Sequence, residues 1–226
     1  MKFGTNEIQK VYLGTTELDA LYSGTNEVYS KGGGFDEYTL GVWHFEGNTD
    51  NAVTTSNVTL STANTYYYNY DHKFGDYSAR FSAYYSSSKM VFNNVGSAIL
   101  NNDFTWDFWA RCGSNVTDWG GAVKWNAYGA SAIALGATAA WCDGTQVVSG
   151  LTAETWHHIA IERYNNVLYQ YVDGNVVNTT NISSITALYR QGANNSTISG
   201  THFDEMRLSN VARYHGQNFT PPTQPY

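Results

Sequence analysis

The densest chemistry in this chain lies in NTYYYNYDHKFGDY (Asn64 to Tyr77), which places five tyrosines in fourteen positions with Asn, Asp and His between them. Sugars dock on surfaces of that kind, because pyranose C–H faces are apolar while their hydroxyls need polar partners. DWGGAVKWNAYG (Asp118 to Gly129) adds Trp119, Trp125 and Tyr128 around a Gly-Gly pair. Tyr-rich polar loops are what adaptable recognition surfaces use. Three adjacent tyrosines in a strand cannot all face inward. Tyr66, Tyr67, Tyr68 and Tyr70, with Trp119 and Trp125, are therefore the candidate ligand-binding residues. The competing use for any one of these rings is core packing.

Catalysis has less to stand on. Glycoside hydrolysis needs two carboxylates about 5–9 Å apart, a spacing that positions i and i+4 on one strand face supply. FTWDFWA (Phe104 to Ala110) offers one, Asp107. Asp204 and Glu205 are adjacent, so regular alternation puts them on opposite faces of their strand. His157 and His158 are adjacent too, and consecutive strand residues cannot chelate one ion. Neither a nucleophile elbow nor a His-Glu-x-x-His phrase occurs. The expectation is a binding protein, not an enzyme.

The totals narrow the partners. Net charge is −7 and no basic cluster exceeds two residues, so phosphate-backbone neutralisation, and with it nucleic-acid binding, is not expected. No run approaches the roughly 18 apolar residues that would cross a bilayer. The opening MKFGTNE lacks the apolar stretch of a secretory signal. Cys112 and Cys142 are too few for a disulfide framework, leaving two reduced thiols or one bridge between neighbouring strands.

The elements that must carry these residues read as all-β. Aromatic content of 15% beside 14% charged residues suits wide packed sheets, and all three prolines fall at Pro221, Pro222 and Pro225. FTWDFWA alternates, with Phe104, Trp106, Phe108 and Ala110 on one face and Thr105, Asp107, Trp109 and Arg111 on the other. Asp173-Gly174 between two strand-like runs signals a two-residue hairpin. Tyr38–Glu46, Lys89–Asn94, Thr155–Tyr164 and His202–Ser209 also read as strands. Ahead of them a Gly-Thr-x-Glu-aliphatic phrase begins at Gly4, Gly14 and Gly24. Gly-Thr supplies the turns of a small meander whose faces both carry apolar groups (Ile8 with Tyr12, Val11 with Leu13, Leu18 with Tyr22). Some thirty residues cannot enclose a core. Such a unit needs another chain, copies of itself, or its own C-terminal domain as a cover. Lys31 to Gly34 is a glycine linker, so the domains are 1–30, linker 31–34, and 35–226.

The larger domain resembles the laminin-G-like, concanavalin A-like jelly-roll family, in particular its versions in bacteriophage virion proteins. GVWHFEGNTDNA resembles its opening strand and loop, and NDFTWDFWAR a central strand. TWHHIAIERYNNVLYQYVDGN resembles its hairpin, and THFDEMRLSNVARYHGQNFTPPTQPY its closing segment. The repeats resemble short N-terminal modules of phage tail and fibre proteins. The resemblance implies an antiparallel jelly-roll β-sandwich carried on a virion, as a fibre or decoration subunit. Its N-terminal module would bind other virion proteins or sister chains in a homo-oligomer, and its sandwich a host-surface glycan; a purely structural decoration protein is the alternative. It also implies one structural calcium ion, with Asp204 of the closing strand and Asp50 of the first loop as ligands. Against that, Asp204 has Arg207 and Arg80 as rival partners, and Asp50 a turn to start.

Overall fold

The computed structural model describes residues 2–3, 6–7, 12–13, 16–17, 20–23, 26–30, 35–62, 65–81, 89–96, 99, 101–114, 122–124, 131–142, 145–182, 189–191 and 201–226. The chain divides into two compact units, Met1–Glu37 and Tyr38–Tyr226.

The first unit holds β1 (Lys2–Phe3), β2 (Asn6–Glu7), β3 (Tyr12–Leu13), β4 (Thr16–Glu17), β5 (Ala20–Ser23) and β6 (Asn26–Ser30). They pair as β1–β2, β3–β4 and β5–β6, three two-stranded antiparallel ladders. Phe3 faces Asn6, Leu13 faces Thr16 and Ser23 faces Asn26, so the two positions between the partners are the Gly-Thr of each repeat. The decapeptide is thus a hairpin unit, paired within itself among the described residues. Ile8, Val11 and Leu18 lie outside those residues.

The second unit contains β7 (Thr39–Trp43), β8 (Thr59–Thr62), β9 (Thr65–Tyr68), β10 (Ser78–Phe81), β11 (Lys89–Asn93), β12 (Phe104–Arg111), β13 (Ala122–Lys124) and β14 (Ser131–Leu135). These are followed by β15 (Ala139–Cys142), β16 (Thr145–Ser149), β17 (Trp156–Tyr164), β18 (Val167–Val172), β19 (Asn175–Asn181), β20 (Tyr189–Gln191) and β21 (Thr201–Ser209). One sheet runs β19-β18-β17-β12-β21-β10-β9, with β7 paired to the far half of β21. The other runs β16-β15-β14-β13-β20-β11-β8. All their pairings are antiparallel, which makes the expected jelly-roll sandwich.

Alternation along β12 decides the core. Phe104, Trp106, Phe108 and Ala110 are fully buried between the sheets. Phe92 of β11 reaches across and packs at 5.2 Å from Trp43 and 4.9 Å from Trp106, which continues through Phe108 to Phe203. Edge and tilted contacts of this kind each contribute about 0.5–1.5 kcal/mol beyond area burial. Cys112 and Cys142 are thiols buried in the same core. Asp173 (φ 49°) and Gly174 (φ 77°) close the β18–β19 hairpin with both centres left-handed, the conformation of a type I′ turn.

Candidate functional site

The opposite face of the β12-containing sheet is polar and mostly roofed over. Four buried carboxylates hold the roof. Glu162 accepts from Tyr171 Oη (2.8 Å) and from the backbone N–H groups of Tyr214, His215 and Gly216. Asp107 accepts from Arg207 Nε (3.1 Å) and Nη2 (2.7 Å) and from Tyr214 Oη. Burial alone would push Asp107 up, but the Arg207 guanidinium and the Tyr214 hydroxyl hold it below the usual carboxylate range. Asp204 Oδ2 accepts from Lys73 N (2.7 Å) and Phe74 N (3.1 Å), and its Oδ1 from Glu205 N (2.9 Å). Lys73 then lies 3.9 Å over the Trp109 ring. The chain's last segment closes the remainder, with Phe219 stacked on Tyr214 at 3.5 Å and Tyr226 N donating to Glu205.

Asp204 and Glu205 do not point to opposite faces. The pairing of β21 with β12 slips between Trp109–Asp204 and Asp107–Arg207, so two residues of β21 oppose Phe108 alone. Glu205 takes φ 45°, and this bulge turns its carboxylate to the same outer side as that of Asp204. There it meets His44 Nδ1 at 2.8 Å. Regular alternation fails wherever a bulge adds a residue.

Beyond the roofed part, the register lines up one residue from each of five adjacent strands. Tyr66 of β9 is opposite Arg80 of β10, which is opposite His202 of β21. His202 is opposite Arg111 of β12, and Arg111 is opposite Trp156 of β17. Four strand spacings make this row roughly 19 Å long. Tyr70 and Asp71, from the loop after β9, stand beside it. Tyr70, Asp71, Arg80, Arg111, Gly113, Glu154 and His202 enclose a pocket of about 340 Å³, within the usual range for small-ligand sites.

The pocket offers both hydrogen-bond donors and acceptors. Asp71 bridges to Arg111 at 2.6 Å, and Arg111 Nε donates to the Glu154 carbonyl at 2.9 Å. Arg80 lies over the Tyr68 ring, 5.3 Å from its centroid, and Nη1 donates to Tyr68 Oη at 3.0 Å. Ser78 Oγ gives its one hydrogen to the Asp71 carbonyl, so the 3.1 Å contact with His202 Nδ1 has the imidazole as donor. That tautomer leaves Nε2, 3.6 Å from Asp71 Oδ2, as an acceptor. Burial pushes His202 down to about 4, helped by Arg80 and Arg111 against Asp71, so it is neutral at pH 7. Rings border the polar groups: Tyr70 is 75% exposed, Tyr66 is 56% exposed, and Trp156 packs edge-on against His202.

The sequence-derived candidates separate here. Tyr66 and Tyr70 present open faces, and Tyr68 props Arg80 and sits edge-on to Tyr70 at 5.1 Å. Tyr67 alternates inward, opposite buried Ala79, and packs against the core. Trp119 and Trp125 lie outside the described residues. Arg80, Arg111, His202 and Trp156 were not singled out, since only pairing across the sheet puts them together. Sequence did hold one signal for Arg80: an isolated cation in a stretch rich in aromatics, between Tyr77 and Tyr84.

The calcium expectation meets an unsuitable donor set at Asp204. Its oxygens face three backbone N–H groups, an arrangement for an anion, whereas Ca²⁺ needs six to eight oxygens. Neither Arg207 nor Arg80 is its partner, since Arg207 pairs with Asp107. Asp50 is exposed, with its N–H on Asn48 Oδ1 in a local turn. Among the described residues no group of three or more His, Cys, Asp or Glu side chains could hold an ion.

A larger recess of about 630 Å³ lies at the loop end of the sandwich, walled by asparagines that include Asn101, Asn165, Asn166 and Asn210. Asn165 and Asn166 are spent on the left-handed turn between β17 and β18. Its aromatic Tyr164 is engaged edge-on with His215. Both recesses carry charged groups, Asp103 and Arg163 in the larger one, but the exposed tyrosine ring, Tyr70, lines the smaller.

Histidines set an expected pH profile. Burial holds His158 as well as His202 at about 4, below the unfolded value near 6.5. Between those values the unfolded chain binds protons that the folded chain refuses, so stability falls as pH drops from about 6.5 to 4. His44 and His157, raised by Glu205 and Asp173, contribute in the other direction: their support is complete below about 6.5 and is lost as pH rises through their raised values. The histidines by themselves place the highest stability near pH 6–7; Asp204, pushed up to about 7 by burial, opposes their acid limb, and His202→Asn should shallow that limb in thermal scans. An unchanged acid limb in that variant would remove His202 from the account.

No family model matches this chain, and no curated protein matches it. Solved structures do match. A Trypanosoma rangeli sialidase in complex with 2,3-difluorosialic acid is 12% identical, with a TM-score of 0.55 over 80% of this chain and 32% of its own. Domain 4 of an extracellular GH43 arabinanase from Geobacillus stearothermophilus, in complex with arabinotriose, is 16% identical, with a TM-score of 0.52 over 77% of this chain and 93% of its own. The binding domain of botulinum neurotoxin serotype D is 12% identical, with a TM-score of 0.53 over 77% of this chain and 48% of its own. This chain thus spans only a part of the sialidase and of the neurotoxin domain. At these identities the likeness is one of fold, an antiparallel β-sandwich.

Proposed function

We propose that the protein is a glycan-binding adhesin whose site is the pocket of Tyr70, Asp71, Arg80, Arg111, Glu154 and His202. The observation that carries this reading is an open tyrosine ring, Tyr70, standing over a polar floor that contains both donors and acceptors. A pyranose needs that combination: an apolar surface for its C–H face and mixed partners for its hydroxyls. A hydroxyl donating between Asp71 Oδ2 and His202 Nε2, with its oxygen near Arg80, would use all three groups. The arabinanase domain with its bound arabinotriose supports the use of this fold for saccharides.

Binding without hydrolysis is part of the proposal. Asp107 is fully buried and spent on Arg207. Burial pushes Asp204 up to about 7, a value suited to a general acid, but the group is sealed beneath Lys73 and Phe74. The setting we propose is a bacteriophage virion, with the hairpin repeats attaching the chain to neighbouring proteins or sister chains. Many weak sites on one particle would then act together through high effective concentration.

A glycan array probed with the full chain tests the reading. At least one saccharide should bind, and Tyr70→Ala should weaken it about tenfold or more while leaving the melting temperature unchanged. A flat array favours the decoration protein without a small-molecule ligand.

A further inference from the structure

Arg80 differs from every other charged group in the pocket. Arg111 is balanced by Asp71 at 2.6 Å and approached by Glu154 at 3.7 Å. Arg80 has no carboxylate within ion-pair distance among the described residues, where its hydrogen-bond partner is a neutral phenol, Tyr68 Oη. A guanidinium has five N–H donors in a planar fork shaped for a carboxylate or sulfate. Tyr68 occupies its face and one donor, which orients the fork and leaves other N–H groups for a ligand. His202 beside it is neutral, and Asp71 and Glu154 both lie on Arg111, so the charges lining the pocket sum to zero while Arg80 is the cation that no carboxylate engages among the described residues. The net charge of −7 is spread over the whole chain. Charges beyond the Debye length of about 8 Å are largely screened at physiological salt.

We infer that the pocket selects acidic saccharides, their carboxylate or sulfate seated on the Arg80 fork and their ring against Tyr70. This rests on the glycan-binding reading and deepens it. The neutral hydroxyls of the same sugar would fall to Asp71 Oδ2 and His202 Nε2, which would repel the anion and so fix the direction in which it enters. Selection arises from pairing and repulsion together.

The test is an array of matched oligosaccharides, each neutral core printed alone, with a carboxylate-bearing sugar, and with a sulfate, followed by titration of the bound pairs. The full chain should prefer the acidic member of a pair about 10- to 100-fold, the range of one charge-assisted contact. Arg80→Gln should bring the acidic member down to the level of its neutral core measured on the same variant, so that the ratio within each pair falls to about one. Arg80→Lys should retain part of the preference, and both variants should melt with the parent. The two acidic arms identify the anion, since a carboxylate fits the fork in two parallel bonds while sulfate adds a third oxygen. Equal binding of neutral and acidic members, or a preference that survives Arg80→Gln, overturns the inference while the glycan reading stands. No binding to any core overturns both.

Discussion

Asp107→Ala is expected to be the most destabilising single substitution in the sandwich, at about 3–5 kcal/mol. The carboxylate is completely buried and receives both arms of the Arg207 guanidinium together with Tyr214 Oη. Truncating it leaves a desolvated cation without its counter-charge and takes the acceptor away from the Tyr214 hydroxyl. Arg207 also carries the Tyr226 ring 4.1 Å above it, so the seat of the terminal segment is disturbed in the same step. For a domain of this size the melting temperature should fall on the order of 10 °C. The double variant Asp107→Leu, Arg207→Met separates lost attraction from unpaired charge. Apolar replacement of a whole buried pair is often near neutral, so it should recover most of the loss in thermal or denaturant unfolding. A single variant melting within about 2 °C of the parent would show the pair to be dispensable.

Gly174→Ala should cost about 2–4 kcal/mol, the sum of a left-handed backbone penalty and a detached closing segment. An added Cβ at this position would stand 1.9 Å from the Phe219 carbonyl oxygen and 2.9 Å from its carbon. Those are backbone atoms, which no side-chain rotation can move aside. The segment would have to lift, giving up the 2.8 Å bond from Phe219 N to the Gly174 carbonyl and the stack of Phe219 on Tyr214. Gly150 supplies the control. It has the same φ of 77°, but nothing lies within 4 Å of its added Cβ. Gly150→Ala should therefore show the conformational cost alone, about 1–2 kcal/mol. Equal losses at the two glycines would mean that the Phe219 contact contributes nothing to stability; limited proteolysis of the C-terminal segment gives the second readout.

Both substitutions concern the roof, and the roof explains where the site is. Along β21 the outward groups meet different fates in order. His202 faces the pocket, Asp204 is sealed by Lys73 and Phe74, Glu205 by Tyr226 and His44, and Arg207 by Tyr214. Recognition is left to the stretch that neither the 73–74 loop nor the terminal segment covers.

Much of this was readable from sequence, and the reasons are physical. Side chains in a strand alternate, so FTWDFWA declared both its buried and its outward faces without any partner being known. Two left-handed residues in succession suit Asp-Gly, so the 173–174 turn was equally plain. The same reasoning misplaced Glu205, because a bulge is a property of two strands held in register and leaves no mark on one of them. It flagged four tyrosines where the strand could expose only some, and Tyr67 turned in. The calcium ligands drawn from resemblance met a carboxylate already committed to backbone donors.

Sequence alone determined the class of the protein: an all-β domain with alternating aromatic faces, preceded by short repeats with Gly-Thr turns. These follow from period, turn chemistry and composition, all of which act over a few neighbouring residues. Only the tertiary structure decided the site. Tyr66, Arg80, His202, Arg111 and Trp156 are far apart along the chain and become neighbours because five strands take one register. Register is set by what the opposite faces bury together, and that is a property of the assembled sheets.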